Sequence, residues 1–273
     1  MVNKKTDMGV FMQEAGGVNT ANVATSHFSL YRKYRPQTFG EMRGQEEVVR
    51  ALTGALSQKS VAHAYLFAGG RGTGKTSVAR IFARGLGIAP DDLYEIDAAS
   101  NRGIDDVREI RDGVAVLPFK SPYKMYLIDE AHMLTKEAFN ALLKTLEEPP
   151  AGAVIILLAE REERLPDTVL SRCQRFDFRN IPTTLIAEHL GSVVKQEGLS
   201  AEPELLFEVA RLGNGSMRDA LSLLDRLLAP GDKHLTLAML ERLLGLPDRR
   251  AGHLHRDLGE LQRRARRQFR GFA

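Results

Sequence analysis

The sequence predicts an α/β doubly wound domain, a five-stranded parallel sheet with helices on both faces, followed by a small all-helical domain. Five short apolar runs, at residues 64–68, 93–96, 125–128, 154–159 and 174–178, recur through the first two-thirds of the chain with helical spacing between them. Runs that are apolar throughout, rather than alternating, fit strands of a parallel sheet covered on both faces. Beyond Asn180-Ile181-Pro182 only helical periodicity remains.

Taken in order, residues 1–28 are polar and rich in Gly, Asn and Thr, without the apolar core of a secretory signal. They read as a flexible tail, or as an extension upstream of a start at Met8 or Met12. Residues 29–180 hold the α/β domain. After its first strand, Ser77-Val78-Ala79 and Ile81-Phe82 carry helical spacing, and after the third strand Ala138-Phe139, Ala141-Leu142-Leu143 and Leu146 do so. Glu147-Glu148-Pro149-Pro150 stops that helix, because proline has no N–H to donate and disfavours a helical residue before it. Residues 181–246 form the helical domain, with amphipathic helices expected over 183–196, 203–212, 216–228 and 236–244 and no strands. Residues 247–273 are a basic tail, in which eight arginines stand against Asp248, Asp257 and Glu260. Such a run binds phosphate or forms the solvated face of a helix. Leu254, Leu258 and Leu261 are spaced for one short amphipathic helix.

Composition narrows the function classes. A chain of 273 residues that is 43 % apolar and 27 % charged is an ordinary globular protein, and a net charge of +3 does not imply nucleic-acid binding. No apolar run approaches the roughly 20 residues that span a bilayer. The single cysteine, Cys173, rules out an internal disulfide and a multi-cysteine metal cage. It reads as a small packed residue. The expectation is a cytoplasmic protein with no membrane partner.

Gly69-Gly70-Arg71-Gly72-Thr73-Gly74-Lys75-Thr76 fits the phosphate-loop pattern, opening the helix that starts near Ser77. Glycines let the backbone fold into a nest of N–H groups aimed at phosphate, and the following helix dipole reinforces it. Lys75 is expected to neutralise the β- and γ-phosphates of ATP, and Thr76 to offer its hydroxyl to Mg²⁺. Lys124-Met125-Tyr126-Leu127-Ile128 ends in Asp129 and Glu130, two carboxylates at the strand edge where such sheets bind ligands. Asp129 is assigned to the Mg²⁺ shell, and Glu130 to the attacking water. Asp129-Glu130-Ala131-His132 also spells the box of a large helicase class. Those helicases need two tandem domains of this α/β type, and here helices fill the place of the second.

Further stretches resemble one family closely. Tyr31-Arg32-Lys33-Tyr34-Arg35-Pro36 with Gly44-Gln45, Glu95-Ile96-Asp97-Ala98-Ala99-Ser100-Asn101, residues 138–150, residues 170–176 and Gly215-Ser216-Met217-Arg218-Asp219-Ala220-Leu221 look like the bacterial DNA polymerase III gamma/tau subunits. Those are AAA+ clamp-loader ATPases with a RecA-like sheet and a helical lid, and the resemblance runs from about Tyr31 to Leu246. It implies that Tyr31 and Arg35 close over the adenine, and that Arg172 of Ser171-Arg172-Cys173 reaches the γ-phosphate of a neighbouring subunit. It also implies that Arg218 is a lid arginine sensing nucleotide state. A guanidinium at the position of Arg172 offsets charge building on the transferred phosphoryl group. The implied partners are other clamp-loader subunits in a homo- or hetero-oligomer, the sliding clamp and primer–template DNA. The family belongs to a polymerase holoenzyme, but no polymerase active site is expected in this chain.

Three departures from the family shape the expectation. Its four-cysteine zinc module is replaced by Leu86-Gly87-Ile88-Ala89-Pro90-Asp91-Asp92, which carries no thiolate, so no zinc is expected. Its threonine after the fourth strand is replaced by Ala159-Glu160-Arg161-Glu162, so Glu160 or Arg161 stands at the first sensor and slow hydrolysis is expected. The likeness fades after Gly245-Leu246-Pro247, so a truncated or divergent collar and a weakened oligomer are expected. Two other readings share these motifs: a slow or non-hydrolysing nucleotide-binding assembly subunit, and another AAA+ DNA-processing motor.

Overall fold

The computed structural model describes residues 29–101 and 103–245. The expected N-terminal tail, the basic run and the short helix near 254–261 lie outside the described residues. Helices α1 (Leu30–Lys33) and α2 (Glu46–Ser57) precede strand β1 (Ala64–Gly69). There follow α3 (Lys75–Gly85), β2 (Leu93–Asp97), α4 (Ile104–Val114), β3 (Lys124–Asp129), α5 (Lys136–Glu147), β4 (Ala153–Ala159), the short α6 (Asp167–Leu170) and β5 (Gln174–Phe178). All five strands are parallel, in the order β2-β3-β4-β1-β5. This AAA+ arrangement turns the carboxyl ends of β1, β3 and β4 toward one side.

Successive residues of the central strands feed two separate cores, as a two-residue side-chain period requires. Tyr65 and Phe67 of β1, Met125 and Leu127 of β3, and Ile156 of β4 pack under α2 and α3 with Phe82. Leu66, Ile128, Ile155 and Leu157 face the other way, onto Phe139, Leu142 and Leu146 of α5. Each such side chain removed from water stabilises the fold by about 1.5–3 kcal/mol. Coverage on both faces, expected for all five strands, holds only for β1, β3 and β4. Strands β2 and β5 are the sheet edges, and Glu95, Asp97, Gln174 and Asp177 on them are exposed. A single covered face cannot bury every side chain of a strand, so those runs carry charge.

The second part comprises α7 (Thr183–Gln196), β6 (Ser200–Ala201), α8 (Pro203–Leu212), α9 (Met217–Leu228), β7 (His234–Leu235) and α10 (Leu237–Leu243). The helices close on Ile186, Leu190, Leu205, Val209 and Leu224. The expectation of no strands is corrected in one detail: β6 and β7 pair in parallel over two residues each, where two chain segments meet beside α7 and α8. Helix α1 precedes the sheet in sequence yet buries Leu30 in this lid core. Tyr34 Oη donates to Glu197 Oε1 at 2.6 Å and Lys33 pairs with the same carboxylate at 2.7 Å. Burial first, then the Glu197 contact, pushes the Tyr34 hydroxyl up to about 12. No helix among the described residues is long and apolar enough to cross a membrane.

Candidate nucleotide site

Strand β1 delivers the glycine loop and α3 receives it. Gly72 and Gly74 have φ of +71° and +106°, conformations that L side chains rarely adopt. A Cβ on Gly72 would also lie 2.0 Å from Ser216 Oγ, so this glycine permits the close approach of the lid. Thr73 Oγ1 donates to the Gly70 carbonyl at 2.8 Å and tightens the loop. Lys75 is 7 % exposed and donates from Nζ to the carbonyls of Gly69 (2.7 Å) and Gly70 (2.9 Å). Burial lowers the Lys75 pKa, against the pull of Glu160, Glu130 and Asp129. Arg71, Thr76 and Ser77 line the same cleft.

Strand β3 ends alongside. Thr76 Oγ1 donates to Asp129 Oδ2 at 3.3 Å, and the Glu130 N–H donates to Asp129 Oδ1 at 2.9 Å. A hydroxyl and a carboxylate converging in this way could supply the one or two protein oxygens that Mg²⁺ takes beside phosphate and water. Glu130 sits at φ +51°, a left-handed conformation unusual for a residue with a Cβ and of the kind found at functional sites. Its Oε2 lies 3.4 Å from Nδ1 of His132, whose side chain is 8 % exposed. Burial, then the carboxylates of Glu160 and Asp129, raises the Glu130 pKa to about 7. Glu160, at the end of β4, lines the cleft, whereas Arg161 does not. A carboxylate therefore stands where the relatives were expected to offer a hydroxyl.

The lid supplies the opposite wall. The Met217 N–H donates to the Gly72 carbonyl at 3.1 Å, and Ser216 caps α9 by accepting from the Asp219 N–H at 3.1 Å. Arg218 lies 5.0 Å above the Tyr31 ring, and both residues line the cleft with Arg35. Burial, then repulsion from Arg80, lowers the Arg35 pKa. Arg172 is not among the cleft-lining residues. It sits between α6 and β5, paired with Glu147. Cys173 packs against the core beneath α5, where burial pushes its thiol up to about 11.

The contacts of two residues of the site escape sequence reasoning. The buried Gln45 donates from Nε2 to the carbonyls of Thr73 (3.3 Å) and Arg179 (2.7 Å), and its Oε1 accepts from the Arg179 N–H. It thereby staples the phosphate loop to the segment after β5. Asn180 fills the space beside Gly70 and Gly215. A glutamine before two glutamates gives no local signal of contacts more than a hundred residues away.

Comparison with known proteins identifies relatives of this chain. The family described as "DNA polymerase III, delta subunit" matches residues 87–182, and "DNA polymerase III clamp loader subunit, ATPase lid domain" matches residues 185–233. The chain is 46 % identical to the DNA polymerase III subunit tau of Bacillus subtilis over 75 % of its own length and 40 % of the relative's. It is 41 % identical to the Escherichia coli subunit tau, over 82 % and 38 % respectively. It thus spans about two-fifths of the length of these relatives. Among solved structures, the RuvB Holliday junction branch migration motor of Thermotoga maritima superposes with a TM-score of 0.65 at 20 % identity, covering 79 % of this chain and 74 % of that one. That likeness is one of fold.

Proposed function

This chain belongs to the DNA polymerase III tau/gamma subunit family, and from that premise we propose that it binds Mg·ATP and hydrolyses it to drive loading of the sliding clamp onto primer–template DNA. The observation that carries the reading is the convergence of Lys75, the Thr76–Asp129 pair and Glu130 in one cleft roofed by Arg218. The loop N–H groups and the α3 dipole hold the phosphates, and Lys75 leaves its carbonyl partners to neutralise them. Thr76 and Asp129 would hold Mg²⁺, which supplies charge neutralisation on the phosphates. Glu130 orients the attacking water and takes its proton. Tyr31 and Arg35 enclose the base, and Arg218 links lid position to the bound phosphates. Arg172 lies outside the lining of its own cleft and serves a neighbouring clamp-loader subunit.

A second reading, an assembly subunit that turns over slowly, is favoured by Glu130, whose pKa burial and then the Glu160 carboxylate raise to about 7. Both readings are tested by measuring ATP turnover with and without primer–template DNA and sliding clamp. Stimulation by the two together supports the motor. Tight ATP binding with slow turnover unmoved by either supports the assembly subunit. Stimulation by branched DNA alone contradicts both.

A further inference from the structure

Arg172 is held by three contacts. Its Nη1 donates to the Thr168 carbonyl at 2.6 Å and to Ser171 Oγ at 3.2 Å, and its Nη2 donates to Glu147 Oε1 at 2.6 Å. A guanidinium carries five N–H donors in a rigid fork, so these contacts fix the plane and leave donors for an anion beyond the chain. The Glu147 side chain is 48 % exposed and that of Arg172 33 %, so solvent screens the pair and its charge adds little to stability. What the contact does is restrict a long side chain to one direction.

Glu147 is suited to that. It is the last residue of α5, a helix capped at its start by Thr135 Oγ1 and closed by Glu148 before the two prolines. The inner face of α5 is fixed in the core by Phe139, Leu142 and Leu146. The carboxylate is thus presented from a rigid element, while Arg172 sits on a turn whose other two anchors are local to α6.

We propose that Glu147 is a positioning residue for Arg172: it aims the guanidinium at the nucleotide of a neighbouring copy and has no role at its own. This rests on the reading of Arg172 as a trans-acting group. A finger of that kind can contribute about 10³ to 10⁵ in rate, and a misdirected one loses a large part of it.

The test is ATP turnover at protein concentrations where light scattering reports assembly. Glu147→Ala should lower kcat about tenfold or more, with ATP affinity and melting temperature unchanged. Glu147→Gln should retain most activity, because its amide oxygen still accepts from Nη2. The double variant Glu147→Ala/Arg172→Ala should be no slower than Arg172→Ala alone, as expected when one residue acts through the other. Adding Lys75→Ala, dead at its own nucleotide but carrying an intact finger, should restore turnover to Glu147→Ala. Parent-level or faster turnover of Glu147→Ala, or a defect that Lys75→Ala does not relieve, overturns the proposal. The control mixture of Arg172→Ala with Lys75→Ala separates the two levels. No recovery there means that Arg172 does not act in trans and Glu147 falls with it. Recovery there without an effect at Glu147 removes Glu147 alone.

Discussion

The sheet-borne wall of the cleft holds its polar groups by hydrogen bonds at strand ends, whereas the lid-borne wall rests Arg218 on an aromatic ring from α1. Lys75 and the Thr76–Asp129 pair are each within 3.3 Å of a partner, beside the ends of β1 and β3, strands buried on both faces. The lid touches this wall through the Met217–Gly72 backbone bond and the packing of Ser216 against Gly72. A cation–π contact such as Arg218 on Tyr31 contributes about 0.5–1 kcal/mol at a partly exposed site. The difference teaches a division of labour. The rigid wall is suited to binding and chemistry, and the weakly attached one to moving with nucleotide state.

The largest expected effect breaks the rigid wall. Lys75→Ala should weaken Mg·ATP binding about 100-fold or more, the scale of lost charge-assisted hydrogen bonds, as read by calorimetric titration. Arg218→Ala should weaken binding about tenfold at most while slowing turnover further. If its binding loss matches that of Lys75→Ala, the two walls are not divided in this way.

Glu160→Thr sharpens the comparison within the sheet wall. Glu130 must be ionised to accept a proton, and its pKa is raised to about 7, so kcat/KM should climb with pH through that value. Removing the Glu160 charge lowers the inflection and should raise turnover at pH 7 by up to about twofold, the ceiling for a base already half ionised there. An unchanged profile would show that Glu160 does not govern Glu130. The smallest effect belongs to the lid. Ser216→Ala removes the cap of α9 and should cost about 1 kcal/mol of stability in thermal melts. Loss of ATP binding in that variant would mean that the lid is part of the rigid wall after all.

Much of this was legible where one physical rule acts locally. Central strands read as unbroken apolar runs because both faces are covered, and the lid helices α7 and α8 begin and end at the residues where Pro, Gly and periodicity put them. The glycine loop stands out in the sequence because Gly72 and Gly74 take left-handed conformations that L side chains rarely adopt. The edge strands were over-read, since β2 and β5 carry charges that a covered strand would not tolerate. Helix α1 was missed because four residues carry no periodicity, and its attachment to the lid depends on Glu197 far along the chain. The contacts of Gln45 and Glu147 were invisible for the same reason. Their partners are set by the fold, not by spacing. The end of β4 was half legible: the missing hydroxyl could be read, but only the structure put Glu160 rather than Arg161 in the cleft.

The central claim, that the sheet-borne wall binds ATP and hydrolyses it through Glu130, is tested most directly by Glu130→Gln. The amide keeps the shape and loses the base. ATP affinity within about twofold of the parent, with turnover reduced about 100-fold or more, is the predicted result. Parent-rate turnover with binding intact would contradict the account.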